Sequence, residues 1–309
     1  MTRRFRSSRR RFLVTLASAA GSAALSRPVR AAEEGGDLHI ACQEYPWGTL
    51  YRREGRETDL EAALAGAAKA GLDGWEPIAT SPEQIARLGE SLRRHGLAMR
   101  SLYVNSTLHD AKAAGESVRQ VLDIADAAKP LGTSIVVTNP SPIRWGGDEA
   151  KTDEQLIVQA KQFDRLGAAL RDRGLTLAYH NHDVELRHAA REFHHMLAGT
   201  DAGHVAFCLD AHWVYRGSGD SQVALFDAVT LYGRRVVELH LRQSRGGVWT
   251  EAFGEGDIDY PRLRARLAEL GVPAPHLVLE QSVEAGTPKS LTPVEAHRRG
   301  REYAAAVFG

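Results

Sequence analysis

Three residues far apart in the chain each close a short apolar run: Asp210 in VAFCLDAH, His240 in VVELHLRQ and Glu280 in HLVLEQ. A lone carboxylate or imidazole at the end of a strand is most often a turn cap or a satisfied core group. Three at equivalent ends of three strands would point into one cup and argue for a shared site. Oxygen and imidazole donors around an open position suit one divalent ion such as Mn2+, Co2+, Mg2+ or Zn2+. A second cluster stands in LTLAYHNHDVEL, residues 175–186, where His180, Asn181, His182, Asp183 and Glu185 crowd into six positions after an apolar run. His182, just past the strand, could orient His180 or cap the next turn. Glu185 could serve as a base or stand as a solvated loop acid.

What would bring such groups together is the rhythm of the chain. Beyond residue 37 one cadence repeats: a short apolar strand, polar residues, an amphipathic helical stretch, then a glycine-bearing turn. Strands are expected in DLHIACQ, LDGWEP, LAMRSLYV, SIVVTNP, LTLAYHN, HVAFCLD, VVELHLR and HLVLEQ. Helices are expected near 58–70, 82–95, 116–129, 152–173, 191–198, 221–231, 260–270 and 293–307. Glycines in KAGLDG, RRHGLAM, RDRGLTL and AELGV supply the left-handed residue that closes a helix. Alternation of this kind implies parallel strands with crossover helices. Eight such units in about 270 residues match a (β/α)8 TIM barrel, and no G-x-G-x-x-G follows the first strand as a dinucleotide fold would require. The expectation is one barrel domain over residues 37–309. In such barrels chemistry gathers at the C-terminal strand ends. The residues there are Glu44, Glu76, Asn105, Asn139, His180 to His182, Asp210 with His212, His240 and Glu280. Glu76, Asn105, Asn139, His212, Trp213 and Arg242 are the expected substrate contacts. Trp47, Trp145, Trp213 and Trp249 also follow strands; each could pack in the core or offer a flat apolar face to a bound ring, the role expected of Trp213.

The first residues read differently. SSRRRFLVTLASAAGSAALSRPVRAA has basic residues, a short apolar stretch and a small-residue end, the pattern of a secretory signal. Ser8-Arg9-Arg10-Arg11-Phe12-Leu13 resembles a twin-arginine signal, so residues 1–32 are expected to be removed and the product to be periplasmic or extracellular. Residues 1–31 hold eight Arg and no acid, so removal takes the basic count from 39 to 31 against 39 acids, a net charge of −8. Nucleic-acid binding needs clustered positive charge and is not expected. No later stretch is apolar enough to span a bilayer, so no membrane association is expected after cleavage. Cys42 and Cys208 both sit in apolar runs and read as small buried fillers.

The tags GLDGWEP, YHNHDVEL, CLDAHW, ELHLRQS, FGEGDIDY and VLEQ, in that order and spacing, resemble the xylose isomerase-like TIM barrel family of sugar isomerases, epimerases and related dehydratases. The resemblance runs from about residue 38 to the end. It implies one metal held by Glu, Asp, His and Glu from strands five to eight; Asp210, His240 and Glu280 match the last three, and His180 stands where the first Glu would be. It also implies that two ligating glutamates move protons on opposite faces of a sugar, of which only Glu280 remains here. Relatives often carry Asp-x-x-His on strand six and His-x-Lys-Asp after strand seven. This chain has Asp210-Ala211-His212-Trp213 and His240-Leu241-Arg242-Gln243 instead.

The expected activity is therefore metal-dependent isomerisation or epimerisation by proton abstraction next to a carbonyl or hydroxyl of a sugar-like small molecule. Glu280 is the first candidate for the base, with His180, His182 or Glu185 as the opposite acid. Loss of a β oxygen from the same enediolate would give dehydration or elimination on keto-sugars or inositol-like compounds. The rivals are an exported sugar-binding barrel without turnover and a phosphodiester nuclease; the second would require a basic groove, against a charge of −8. The small-molecule reading is compatible with a homo-oligomer.

Overall fold

The structure, a computed structural model, describes residues 38–272 and 274–309; the segment expected to be a signal lies outside the described residues. All eight expected strands form: β1 (Ile40–Gln43), β2 (Gly74–Glu76), β3 (Ser101–Tyr103), β4 (Ile135–Thr138), β5 (Thr176–His180), β6 (Val205–Asp210), β7 (Val236–Leu241) and β8 (His276–Leu279). They pair in parallel in the order β2-β1-β8-β7-β6-β5-β4-β3. The last seam is joined by bridges from Gly74 to Ala98 and from Ile78 to Tyr103. The result is a nearly closed (β/α)8 TIM barrel.

Strands buried on both faces read as near-continuous apolar runs, which is why the sequence betrays them. Alternate residues face opposite ways. Leu102, Val136, Leu177, Phe207, Leu239 and Leu277 pack outward into the main core with the helices, whereas Tyr103, Val137, Ala178 and Cys208 form a small separate cluster. The helices are α1 (Glu44–Arg53), α2 (Leu60–Lys69), α3 (Pro82–His95), α4 (Ala114–Ala128), α5 (Asp153–Asp172), α6 (Arg187–Ala198), α7 (Ala211–Gly217), α8 (Gln222–Tyr232), α9 (Tyr260–Glu269) and α10 (Pro293–Phe308). Several starts follow their caps: Ser81 accepts from Gln84 N–H before Pro82, and Thr152 with Gln155 forms a capping box. In α6 the first turn is left-handed at His188, Ala189 and Ala190, so the right-handed helix begins where the sequence placed it, at 191. α1 and α7 follow β1 and β6 without a loop and were not expected.

Two local features aim the site. Phe207 pairs with Val236 but Cys208 pairs with Glu238, so Val237 is an extra residue, a β-bulge in β7. Beyond it, Asp210 stands level with His240. After β7 a two-stranded hairpin, Ser244–Arg245 with Val248–Trp249, turns at Gly246 (φ 60) and Gly247 (φ 79), a pair of left-handed residues that suits a tight hairpin. The Asp257 carboxylate from FGEGDIDY pins this turn, accepting from Gly246 N–H at 2.8 Å, Gly247 N–H at 3.0 Å and the Ser244 hydroxyl at 2.7 Å.

The wall of the barrel carries a pH-sensitive group of its own. His297 on α10 is buried, stacks on Trp47 with ring centroids 4.3 Å apart, and is pushed down to about 4 by burial. Between pH 6.5 and about 4 the unfolded chain holds this proton and the folded one does not, so stability must fall as pH falls through that window. His297→Phe keeps the stack and removes the proton. Urea midpoints against pH should show the slope reduced by up to about 1.4 kcal/mol per pH unit; an unchanged slope would refute the assignment.

Candidate functional site

His180 ends β5, Asp210 ends β6, and Glu280 directly follows β8. One donor atom from each lies within 4.8 Å of the others, all in buried residues. His180 Nε2 and Asp210 Oδ2 are buried without a protein partner. Such orphaned atoms cost about 1–3 kcal/mol each if nothing satisfies them, and a cation between them would. Burial, then neighbouring His240, pushes His180 well below the usual imidazole value, which leaves it a neutral lone-pair donor. Burial raises Asp210 to about 7 against the pull of Arg242. The donor set, one imidazole and two carboxylates, fits a borderline divalent ion.

His240 sits between this set and a second layer beneath it. Its Nδ1 lies 2.9 Å from Glu280 Oε2, and its Nε2 lies 3.0 Å from Glu76 Oε1 and 3.2 Å from Glu238 Oε1. Ser101 donates to Glu76 Oε2 at 2.6 Å, and the Cys208 sulfur is 3.5 Å from Glu238 Oε1 and 3.7 Å from His180 Nδ1. Burial works against ionisation of Glu76, but the His240 charge and hydrogen bond outweigh it and hold its pKa down. Burial and the charge of Glu76 push Glu238 up to about 8. The layer is thus one ionised and one protonated carboxyl about a single imidazole.

Arg242 closes the site from the β7 side. Its Nη2 lies 2.9 Å from Glu280 Oε1 and its Nε donates to the Glu280 carbonyl at 3.1 Å. Burial opposes ionisation of Glu280, yet Arg242 and His240 outweigh it and hold its pKa well below the ordinary carboxylate range. His182 is half-buried next to His180, ring centroids 4.8 Å apart, with Trp145 at 5.4 Å and Trp213 at 5.8 Å; its Nδ1 has no protein partner. Burial lowers it to about 4, so it is an unprotonated imidazole at neutral pH.

Other expected site residues fall elsewhere. Glu76 lies under His240 rather than at the rim. Asn105 is exposed. Asn139 donates to the His180 carbonyl at 3.0 Å and to Glu185 Oε1 at 2.9 Å, and Glu185 Oε2 accepts from His182 N–H at 2.6 Å. Glu185, pushed up to about 7 by burial and Glu192, has both oxygens engaged as a brace for the His182 turn. Glu185→Gln should therefore cost about 1–3 kcal/mol of stability while slowing substrate proton exchange less than about tenfold; thermal melts and exchange in D2O test both. Trp47 is buried in α1 against His297 and Trp75, away from the strand ends, whereas Trp145 is 54% exposed at the mouth beside His182. Both cysteines are free and buried, as expected.

Glu238 escaped notice in the sequence. The signal was present: in V-V-E-L-H-L an acid two residues before His240 shares its face of the strand.

Comparison with known proteins agrees with this architecture. Residues 64–305 match the model of the xylose isomerase-like TIM barrel family. An inosose dehydratase of Clostridium botulinum is 24% identical over 278 residues, covering 81% of this chain and 90% of that one. A sugar phosphate isomerase/epimerase from Parabacteroides distasonis superposes with TM-score 0.67 at 19% identity, over 92% of this chain and all of the other. An L-ribulose 3-epimerase superposes with TM-score 0.64 at 20% identity, covering 88% and 94% of the two chains. With the eight-stranded barrel and a family match over most of its length, the chain belongs to the xylose isomerase-like TIM barrel family.

Proposed function

We propose that this protein is a divalent-metal-dependent enzyme that removes a proton next to a carbonyl or hydroxyl of a sugar-like substrate. The observation that carries the reading is the buried trio of His180, Asp210 and Glu280, one donor atom from each within 4.8 Å of the others, with His180 Nε2 and Asp210 Oδ2 buried and unpartnered. His240 completes the set through Nδ1, while Glu76 and Glu238 hold its Nε2 and so fix the ring. A bound divalent ion polarises substrate oxygens and acidifies the neighbouring C–H. Glu280, with both oxygens engaged by Arg242 and His240, is a weak base. His182, neutral and free at Nδ1, takes the proton. Return of that proton to the adjacent carbon gives isomerisation; epimerisation requires a proton delivered to the first carbon from the opposite face. Departure of a β oxygen gives dehydration, a second reading supported by similarity to inosose dehydratase over 81% of the chain and by His180 in place of the second glutamate. Residues 1–32 are proposed to direct export, and residues 37–309 to form the mature barrel domain, with a small molecule as its partner.

Purified protein should hold one divalent ion per chain by elemental analysis, and His240→Ala and Glu280→Ala should lose it. Keto-sugars and inositol-like compounds incubated in D2O should gain deuterium or eliminate. Full metal content in both variants would sink the site, and a metal-loaded protein that exchanged nothing would leave only a binding barrel.

A further inference from the structure

Beside the ligand set lies a cation that holds Glu280 and has one donor atom to spare. Arg242 is 1% exposed. Its guanidinium carbon is 4.8 Å from the centre of the Trp213 ring and 4.5 Å from that of Trp249, so two indoles fix its position. Nε and Nη2 are committed to Glu280, and Nη1 is buried with no partner in the protein. The neighbourhood repeats the pattern. His212 is fully buried with neither ring nitrogen partnered, and the indole N–H groups of Trp213 and Trp249 are also buried and unpaired. The three rings lie within 6.0 Å of one another. Arg242 and two indoles can only donate, and neutral His212 donates through one ring nitrogen and accepts through the other, so this patch offers donors in excess and calls for an acceptor. A hydroxyl brings a proton along with its lone pairs; a carboxylate only accepts and pairs with a guanidinium through a charge-assisted bond.

Charge points the same way. Asp210 and Glu280 match the charge of a divalent ion and His180 adds none, while the ionised Glu76 is separated from Arg242 by Glu280 and the His240 ring. The Arg242 guanidinium, with Nη1 free, is therefore a cation placed to meet an anion beside the cup. We propose that the substrate carries a carboxylate beside its reacting carbon, a keto-sugar acid rather than a neutral ketose, and that Arg242 with His212, Trp213 and Trp249 binds that carboxylate. This inference rests on the metal-site reading of the same cup.

The test pairs 2-keto-D-gluconate with D-fructose, which differ at C1 by a carboxylate against a hydroxymethyl group. Calorimetric titration of the metal-loaded protein, with tryptophan fluorescence as a second readout, should show the acid bound at least about tenfold more tightly. Arg242→Gln, compared at equal metal loading, should abolish the preference, and Arg242→Lys should keep part of it. Equal or weaker binding of the acid, no detectable binding of it, tighter binding of D-fructose 6-phosphate, or an unaltered preference in Arg242→Gln would each overturn the proposal. If Arg242→Gln does not fold, the wild-type comparison with Arg242→Lys decides. A metal-loaded protein that failed to discriminate would lose this inference and keep the metal site. A metal-free protein that still preferred the acid would do the reverse.

Discussion

Asp210→Asn is expected to empty the site of metal and to slow substrate proton exchange by at least about 10^3-fold, with thermal stability nearly unchanged. The separation follows from the two oxygens doing different things. Oδ1 accepts from Trp213 N–H at 2.9 Å and caps α7, whereas Oδ2 is buried and unpartnered. Asparagine caps a helix about as well as aspartate, so its oxygen keeps the cap, while its amide replaces Oδ2 with a donor and removes the negative charge. Asp210→Ala should lose the metal as well, plus about 1 kcal/mol of cap. Elemental analysis, thermal melts and exchange in D2O distinguish the two variants; stoichiometric metal in Asp210→Asn would show that Oδ2 is no ligand. Uptake should also depend on pH. Burial raises Asp210 to about 7, and despite burial His240 is held well above the usual imidazole value by its acidic neighbours. Metal must displace those protons. Affinity should therefore rise with pH through neutrality, with protons released on binding.

The same residue shows what a single sequence can and cannot express. A strand-end aspartate reads as a cap or as a ligand, and here one oxygen caps while the other is buried without a partner. The strands were legible because burial on both faces makes them apolar throughout, and the helices because Ser81, Thr152 and the closing glycines mark their limits. α1 was hidden. EYPWGTLYRR contains Pro46 and Gly48, poor helix formers, and what holds it is tertiary: Trp47 packs where Gly66 leaves room, a Cβ there falling 2.6 Å from the indole. α7 was hidden because it spans only Ala211–Gly217 and starts on the candidate ligand itself. At the site, strand ends named His180, Asp210, His240 and Glu280. Their spacing could not say that Glu76 sits under His240 or that Glu185 braces a turn, since both depend on how far a side chain reaches across the barrel. Nor could it show the bulge at Val237, which sets the level at which Glu238 and His240 face β6.

His240→Leu should be the most destabilising single change in the barrel interior, costing about 3–5 kcal/mol, because it leaves buried acids without their imidazole. Glu76 and Glu280 are ionised partly through His240, and Glu238 keeps its proton because Glu76 already holds the charge. Glu238→Gln should therefore be close to neutral at pH 7. The sign of its pH dependence is also fixed: a carboxyl whose pKa rises from 4.5 to about 8 on folding makes the native state bind more protons, so stability falls as pH rises through that window. The amide removes this loss, and Glu238→Gln should be more stable than the wild type at pH 8. Urea unfolding at pH 6, 7 and 8 tests both variants; a wild type that gained stability toward pH 8 would mean that Glu238 is ionised. Glu76→Gln separates support from ligation. The amide can still receive the Ser101 hydroxyl, yet it no longer holds the charge that orients His240. Metal affinity should fall by about 10–100-fold, with the fold retained. A buried acid pair that costs desolvation energy would then persist because it keeps one imidazole nitrogen turned toward the proposed metal site.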